Sequence, residues 1–368
     1  MNQDEKRILA QTLNQEAAQL AKQASDKSQE AADVLGSIGP INNSSDDAVD
    51  LVLKDIENEH PEFTEIQLTN NADGIIRQHG YSTRQAFNAD ESLIHLPAGE
   101  FKIVNLLGNV VMDAPVSSEY NWHPSDPDVM FGVRDRQHFC RVNLSSGKAE
   151  LIFSGDDLRM GSGHGNIDNA ATFAPIDTQN KVGVLDLQSG SYRSIDKPFD
   201  YDWHGVSHFG NYCVMATEHT THVYDIDMNH LYDIEGSEHS DFGHYSGKEY
   251  LVTVGRIPYR LNLGTGEKEF LASDTAWTWG HLSGRGPENR IYYSVHEGKH
   301  EGWNDYSIGY FTLSLGLSSN IEIAKVDHSR QTDYMRQMKL TVSPSGNHVI
   351  YTSDKANGVI NDFLVTMK

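Results

Sequence analysis

Four of the chain's 18 histidines, His164, His204, His239 and His281, stand at equivalent places in successive segments of one kind. Each segment has a polar or histidine-bearing entry, a turn, an apolar strand and a second turn. Three more segments of this kind open on Arg84, on Asn121 with Trp122 and His123, and on the run Tyr334, Arg336, Gln337 and Lys339. Imidazole supplies two chemistries. Neutral rings grouped with a carboxylate or an amide hold a divalent metal, with manganese or zinc the candidates here. A ring that titrates near neutrality serves as a general base. A single histidine at a strand start is usually a hydrogen-bonded structural group. Four in successive repeats call for an architecture that aims them at one place.

The repeats supply one. The segments open near Arg84, Asn121, His164, His204, His239, His281 and Gln337, and the first five steps are 37, 43, 40, 35 and 42 residues. The last step is 56 residues because of an insertion at 297–306. Within the repeats, an aliphatic residue, Asp or Asn, Leu and, soon after, Gly mark hairpins between the later strands (VNLSSG, LDLQSG, LNLGTG). Seven four-stranded units of about 40 residues predict an all-β, seven-bladed β-propeller, with an irregular β-sandwich as the alternative. The last unit, ending in NDFLVTM, is one strand short, and the orphan strand FTEIQLT at 63–69 is expected to complete it and close the ring. In a propeller the entries of the innermost strands converge on one rim of the central channel. His164, His204, His239, His281 and Gln337 are therefore expected around one mouth, with Arg84, Arg336 and Lys339 as a local cationic pocket.

The other signals are weaker. Trp122, Trp203 and Trp279 lie at or beside entries, where their faces suit either sugar stacking or the core. His296 and His300 in HEGKHEGWNDY offer a weak metal pair on what reads as a solvated loop. Cys140 and Cys213 sit in apolar strand patterns and read as core residues. There is no G-x-S-x-G elbow, H-E-x-x-H or C-x-x-C, and MGSGHGN lacks the spacing of a nucleotide-binding loop.

The stretches HSDFG, GHLSGRGPENRIYYSVHEG and YMRQMKLTVSPSGNHVIYTSD resemble the last three blades of the oligogalacturonate lyase-like propellers. The resemblance implies cleavage of uronate oligosaccharides by β-elimination, with manganese held by a histidine of the penultimate blade and by a Gln-x-x-His-x-His run entering the last. Carried over, His239 resembles the base and His281 the first metal ligand. The run departs from the pattern: Tyr334 stands for the Gln, Gln337 for the first His and Lys339 for the second. In that family an arginine helps the base; it has no match in blade four, where TEHTTH stands. Related ulvan lyase-like propellers use His and Tyr chemistry, which His204 with Tyr334 would suit. Metal ligation is thus expected of His281, Gln337 and His164. Carboxylate neutralisation is expected of Lys339 or Arg336, and proton abstraction of His239 or His204.

Basic residues number 29 and acidic ones 52, for a net charge of −23. That balance argues against nucleic acid and against anionic membranes, and leaves an acidic saccharide to be met through a local basic patch. No apolar run reaches the roughly 20 residues that span a bilayer. The start MNQDEKR does not read as a secretory signal, so the expected location is cytoplasmic, or a virion if the chain is phage-encoded.

Residues 1–62 read as a separate arm and linker before a propeller at 63–368. Leu9, Leu13, Ala17, Leu20, Ala24, Ala31 and Leu35 form a thin apolar stripe on a helix over 1–35, stopped by Gly36, Gly39 and Pro40. A second short helix is expected over 46–57. So thin a stripe needs a partner, a second copy or the propeller wall to dock on. Two classes of function follow: a lyase acting on acidic oligo- or polysaccharide, or a non-catalytic sugar-binding or assembly module attached through the arm.

Overall fold

The computed structural model describes residues 62–75, 77–117, 119–236, 239–253, 258–271, 277–298, 306–326, 337–356 and 358–368. The arm, both of its expected helices, Tyr334, Arg336 and the tip of the 297–306 insertion lie outside the described residues. No helix among the described residues is long and apolar enough to cross a membrane.

The described chain forms seven antiparallel sheets. In chain order they span 93–113, 120–154, 173–196, 201–235, 240–270, 277–325 and 340–367, and are blades one to seven. Seven hydrophobic clusters join them pairwise. Ile103, Trp122 and Met130 fill the first interface, and Val129, Phe139 and Ile176 the second. The series continues round to Phe87, Ile94, Ile350 and Leu364, which join the first blade to the last. An apolar layer between every pair of neighbours, including first and last, is the packing of a closed ring. Cys140 and Cys213 are buried in these layers.

The hairpins form for a local reason. In the turn after the third strand an Asn or Asp side chain accepts the backbone N–H groups that the ladder leaves over. Asn143 Oδ1 takes Ser146 N at 2.9 Å, Asp186 Oδ1 takes Ser189 N at 2.8 Å and Asn262 Oδ1 takes Gly264 N at 3.0 Å. The chain then needs a left-handed residue, which Gly147, Gly190 and Gly266 supply at φ 66°, 71° and 71°.

Closure runs through the N-terminal strand. Phe63–Gln67 pairs antiparallel with Asn361–Met367, Phe63 opposite Met367 and Gln67 opposite Phe363. The seam continues past the strand. Leu68 N donates to Asp362 O at 2.8 Å, Asn71 Nδ2 donates to Ile360 O at 2.6 Å, and buried His79 donates from Nδ1 to Asp362 Oδ1 at 3.0 Å.

Two blades depart from four strands. Blade one's innermost segment makes a single bridge, Phe87 to Ile94, and blade three retains three strands. In blade three the segment GHGNIDN replaces a ladder strand. The buried carboxylate of Asp168 takes the N–H groups of Ala170, Thr172 and Phe173 at 2.6 to 3.1 Å, so that stretch of backbone is paired without one.

One buried group makes the fold acid-sensitive. His95 in blade one is fully buried, neither ring nitrogen has a hydrogen-bond partner, and its ring meets Tyr120 edge-on at 4.0 Å. Burial first, and then the charge of Arg84, hold its pKa down at about 3. A histidine depressed in the fold is protonated only on unfolding between its folded and unfolded values. Its share of stability is therefore complete above the unfolded value near 6.5 and falls by about 1.4 kcal/mol per pH unit below it. Between pH 7 and 5 the protein is expected to lose roughly 2 kcal/mol through this residue. Denaturant titrations of the His95→Met variant at both pH values should show that much less loss; equal losses would mean that His95 is hydrated in the fold.

Candidate active site

The innermost strands start at one mouth of the channel, and the histidines expected there divide between two environments. His164, His239 and His281, from blades three, five and six, converge on Tyr81. The Tyr81 ring stacks on His164 with centroids 3.9 Å apart and a 6° interplanar angle. It meets His281 edge-on at 5.2 Å and His239 at 6.4 Å. His239 and His281 stack on each other at 5.0 Å. Rings from three blades and from the segment before the first blade thus gather in one cluster.

Backbone contacts fix two of these rings. His239 Nδ1 lies 2.9 Å from Gly280 O, and His281 Nδ1 lies 3.0 Å from Met338 O. A carbonyl only accepts, so in the neutral rings each Nδ1 carries the proton and each Nε2 the lone pair. His281 is buried, whereas His239 is exposed, which makes it the ring a solute in the channel can reach. His239 owes that exposure to its place just before the ladder strand Ser240–Tyr245.

The surroundings are cationic on one side. Loss of water, followed by the charges of Arg84, His239 and Lys339, holds His164 well below the usual imidazole range. Lys339 is buried. Arg84 is buried too; its Nη2 donates to Glu119 Oε2 at 2.7 Å and its guanidinium lies 5.6 Å from the centre of the Tyr120 ring. On the other side, Asp202 stands close enough to His239 for the imidazole to pull its pKa down, against a larger upward push from partial burial.

His204 belongs elsewhere. It lies inside the ladder strand Tyr201–Val206 and is fully buried between blades three and four. Its Nδ1 meets the Tyr201 hydroxyl at 2.8 Å and its Nε2 donates to Gly183 O at 3.0 Å. With both nitrogens engaged by the protein, the ring is a packing and hydrogen-bonding element and not a base facing the channel. Gln337 is half-buried, next in the chain to Met338, whose carbonyl orients His281. Trp122 and Trp203 are core residues, with Trp122 Nε1 donating to Ala86 O at 2.9 Å. The residues that sequence reasoning missed are Tyr81 and Asp202. Tyr81 precedes the first repeat, and its only signal is an aromatic residue next to Gly80 where the chain enters the ring.

The donor set does not fit a manganese centre of the lyase kind. Where that pattern needs its last imidazole stands Lys339, an ammonium whose field, with that of Arg84, already reaches His164. With Arg84 paired to Glu119, the Lys339 ammonium is the charge that opposes a divalent ion at that place. A different trio, His222, His230 and Asp233, has ligand atoms within 4.8 Å of one another on outer strands of blade four.

No protein-family model and no curated protein sequence matches the chain. Solved structures do match in fold. Oligogalacturonate lyase from Vibrio parahaemolyticus is 12% identical over 84% of this chain and 97% of its own, with a TM-score of 0.59. An oligogalacturonate lyase in complex with manganese is 13% identical over the same shares, with a TM-score of 0.60. The WD40 domain of Neurospora crassa Pan2 is 12% identical over 84% of this chain and 96% of its own, at 0.56. A WD40 propeller matches almost equally well, so these likenesses speak for the seven-bladed all-β fold, and the chemistry of the mouth must carry any statement about activity.

Proposed function

We propose that this protein is a lyase that cleaves uronate-containing oligosaccharides by β-elimination, with His239 as the base. The observation that carries the reading is the exposed imidazole of His239, pinned through Nδ1 to Gly280 O, with its Nε2 lone pair directed away from that bond and a cationic wall nearby. In the step, Nε2 takes the proton on the sugar carbon α to the carboxylate. The electron pair of that C–H bond becomes the ring double bond, the neighbouring C–O bond breaks, and the departing oxygen takes up a proton. Negative charge develops on the carboxylate side of the transition state, where the Lys339 ammonium lowers its energy. Tyr81, which is held among the three rings, is the phenol that returns the proton in this scheme. The Lys339 ammonium beside the three rings, in an otherwise acidic protein, supports an acidic sugar.

The test is the ultraviolet absorbance of the unsaturated uronate product during incubation with polygalacturonate, ulvan, glucuronan and alginate, with and without chelator. Absorbance should rise with at least one polymer or its oligomers and persist with chelator, because no step passes through a metal. Silence across the panel would remove the lyase reading and leave a binding module.

A further inference from the structure

The channel has a second mouth, which the chemistry above does not use. His239 precedes one innermost strand and His244 lies within it, five residues on, so at roughly 3.3 Å per residue they stand about 16 Å from each other. Around His244 lies a cavity of about 320 Å³ whose walls come from the innermost segments of several blades, among them Trp122, Asn166, His208, His244, Arg285 and Glu288. That is the small end of the range of ligand pockets, about 300–1,000 Å³.

Two buried donors in this wall have no partner. Asn166 is 3% exposed; its Oδ1 accepts Gln85 N at 3.3 Å, and its Nδ2 has nothing to donate to. Arg285 is 8% exposed; one Nη2 hydrogen goes to Asp241 Oδ1 at 2.7 Å, and its Nε is unpartnered. A buried donor without an acceptor costs roughly 1–3 kcal/mol, so two in one wall call for an acceptor inside the cavity.

The charge of the wall says which acceptor. Arg285 is neutralised by buried Asp241, whose other oxygen takes Gly284 N at 2.7 Å. Asp168 is saturated by three backbone N–H groups, and Glu288 takes Ser246 N at 2.7 Å. Burial holds His208, His244 and His123 below the usual imidazole range, so they add no charge near neutral pH. An anion meets carboxylates without a free cation, and a cation meets two orphan donors. What fits is an uncharged molecule with several oxygens and an apolar face for Pro124, Pro287 and Pro344, which share the wall.

We infer that the far mouth is a binding site for a neutral sugar of one or two rings, separate from the basic mouth and its acidic substrate. The inference does not rest on the lyase reading. The full-length protein is titrated with methyl β-galactoside, L-rhamnose, D-xylose, lactose and cellobiose, and with galacturonate and glucuronate, by calorimetry and saturation-transfer NMR. At least one neutral sugar is expected to bind, with protons of one ring face nearest the protein. Asn166→Leu should weaken that binding at least tenfold and leave any uronate turnover unchanged. Asn166→Asp keeps the acceptor for Gln85 N and puts a carboxylate oxygen in place of the donor, so it should weaken binding as much even if the leucine variant fails to fold. His239→Ala should leave binding unaltered. Absence of binding by every neutral sugar would overturn the inference, as would neutral-sugar binding that is lost in His239→Ala and kept in Asn166→Asp.

Discussion

A chain that begins at residue 71 is expected not to fold, whereas one that begins at residue 59 is expected to keep a melting transition close to that of the whole protein. The shorter chain loses the fourth strand of blade seven and the seam behind it. Phe63–Gln67 provides the ladder to Asn361–Met367, and Leu68 is part of the apolar layer joining the last blade to the first. Removal bares the edge of Asn361–Met367 and opens that layer to water. A buried leucine contributes roughly 1.5–3 kcal/mol, and stripped edge hydrogen bonds leave a template for aggregation. The same seam is testable by one substitution. Asp362→Ala deprives buried His79 and Thr352 of their partner and should cost about 3–5 kcal/mol. Denaturant midpoints and light scattering report both. A monodisperse, cooperatively unfolding fragment 71–368 would mean that the ring closes without its N-terminal strand.

Loss of the His239 imidazole carries the second large effect. His239→Ala should lower kcat by about 100- to 10,000-fold, the usual contribution of a positioned general base, with KM little changed. The melting temperature should hardly move, because the ring is exposed and, among the described residues, its hydrogen bond is to Gly280 O. His204→Asn should do the reverse, lowering stability through its broken bonds to Tyr201 and Gly183 and acting on kcat only through the fold. A His204 variant that is fully folded and inactive, beside an active His239 variant, would exchange the two roles.

Much of the architecture was legible because it is written locally. Period-two strands, Asx side chains that gather leftover N–H groups and glycines in left-handed positions each act over a few residues, and together they mark the blades. The closing strand was legible by subtraction: a final unit one strand short and a lone strand at 63–69 need each other. The three-stranded form of blade three was not legible, because the carboxylate of Asp168 substitutes for a ladder only once residues 170–173 have folded back onto it.

The candidate site divides the same way. From its sequence the chain determined that histidines open successive blades and that Lys339 breaks the metal pattern. The tertiary structure alone decided which of those histidines meet. In a propeller both faces of an inner strand pack on neighbouring blades, and only residues before the ladder, or displaced by an irregular register, reach the axis. His239 precedes its ladder strand, and His281 lies where the register shifts between Trp279 and Leu282. His204 lies within a regular stretch, after the shift between Tyr201 and Trp203, and so faces blade three. A displacement of one residue turns a strand's side chains to the other face, and nothing in the spacing of the histidines records it. Tyr81 and the neutral far mouth owe their existence to the ring itself, since residues as distant as Asn166 and Arg285 share a wall only after seven blades have closed.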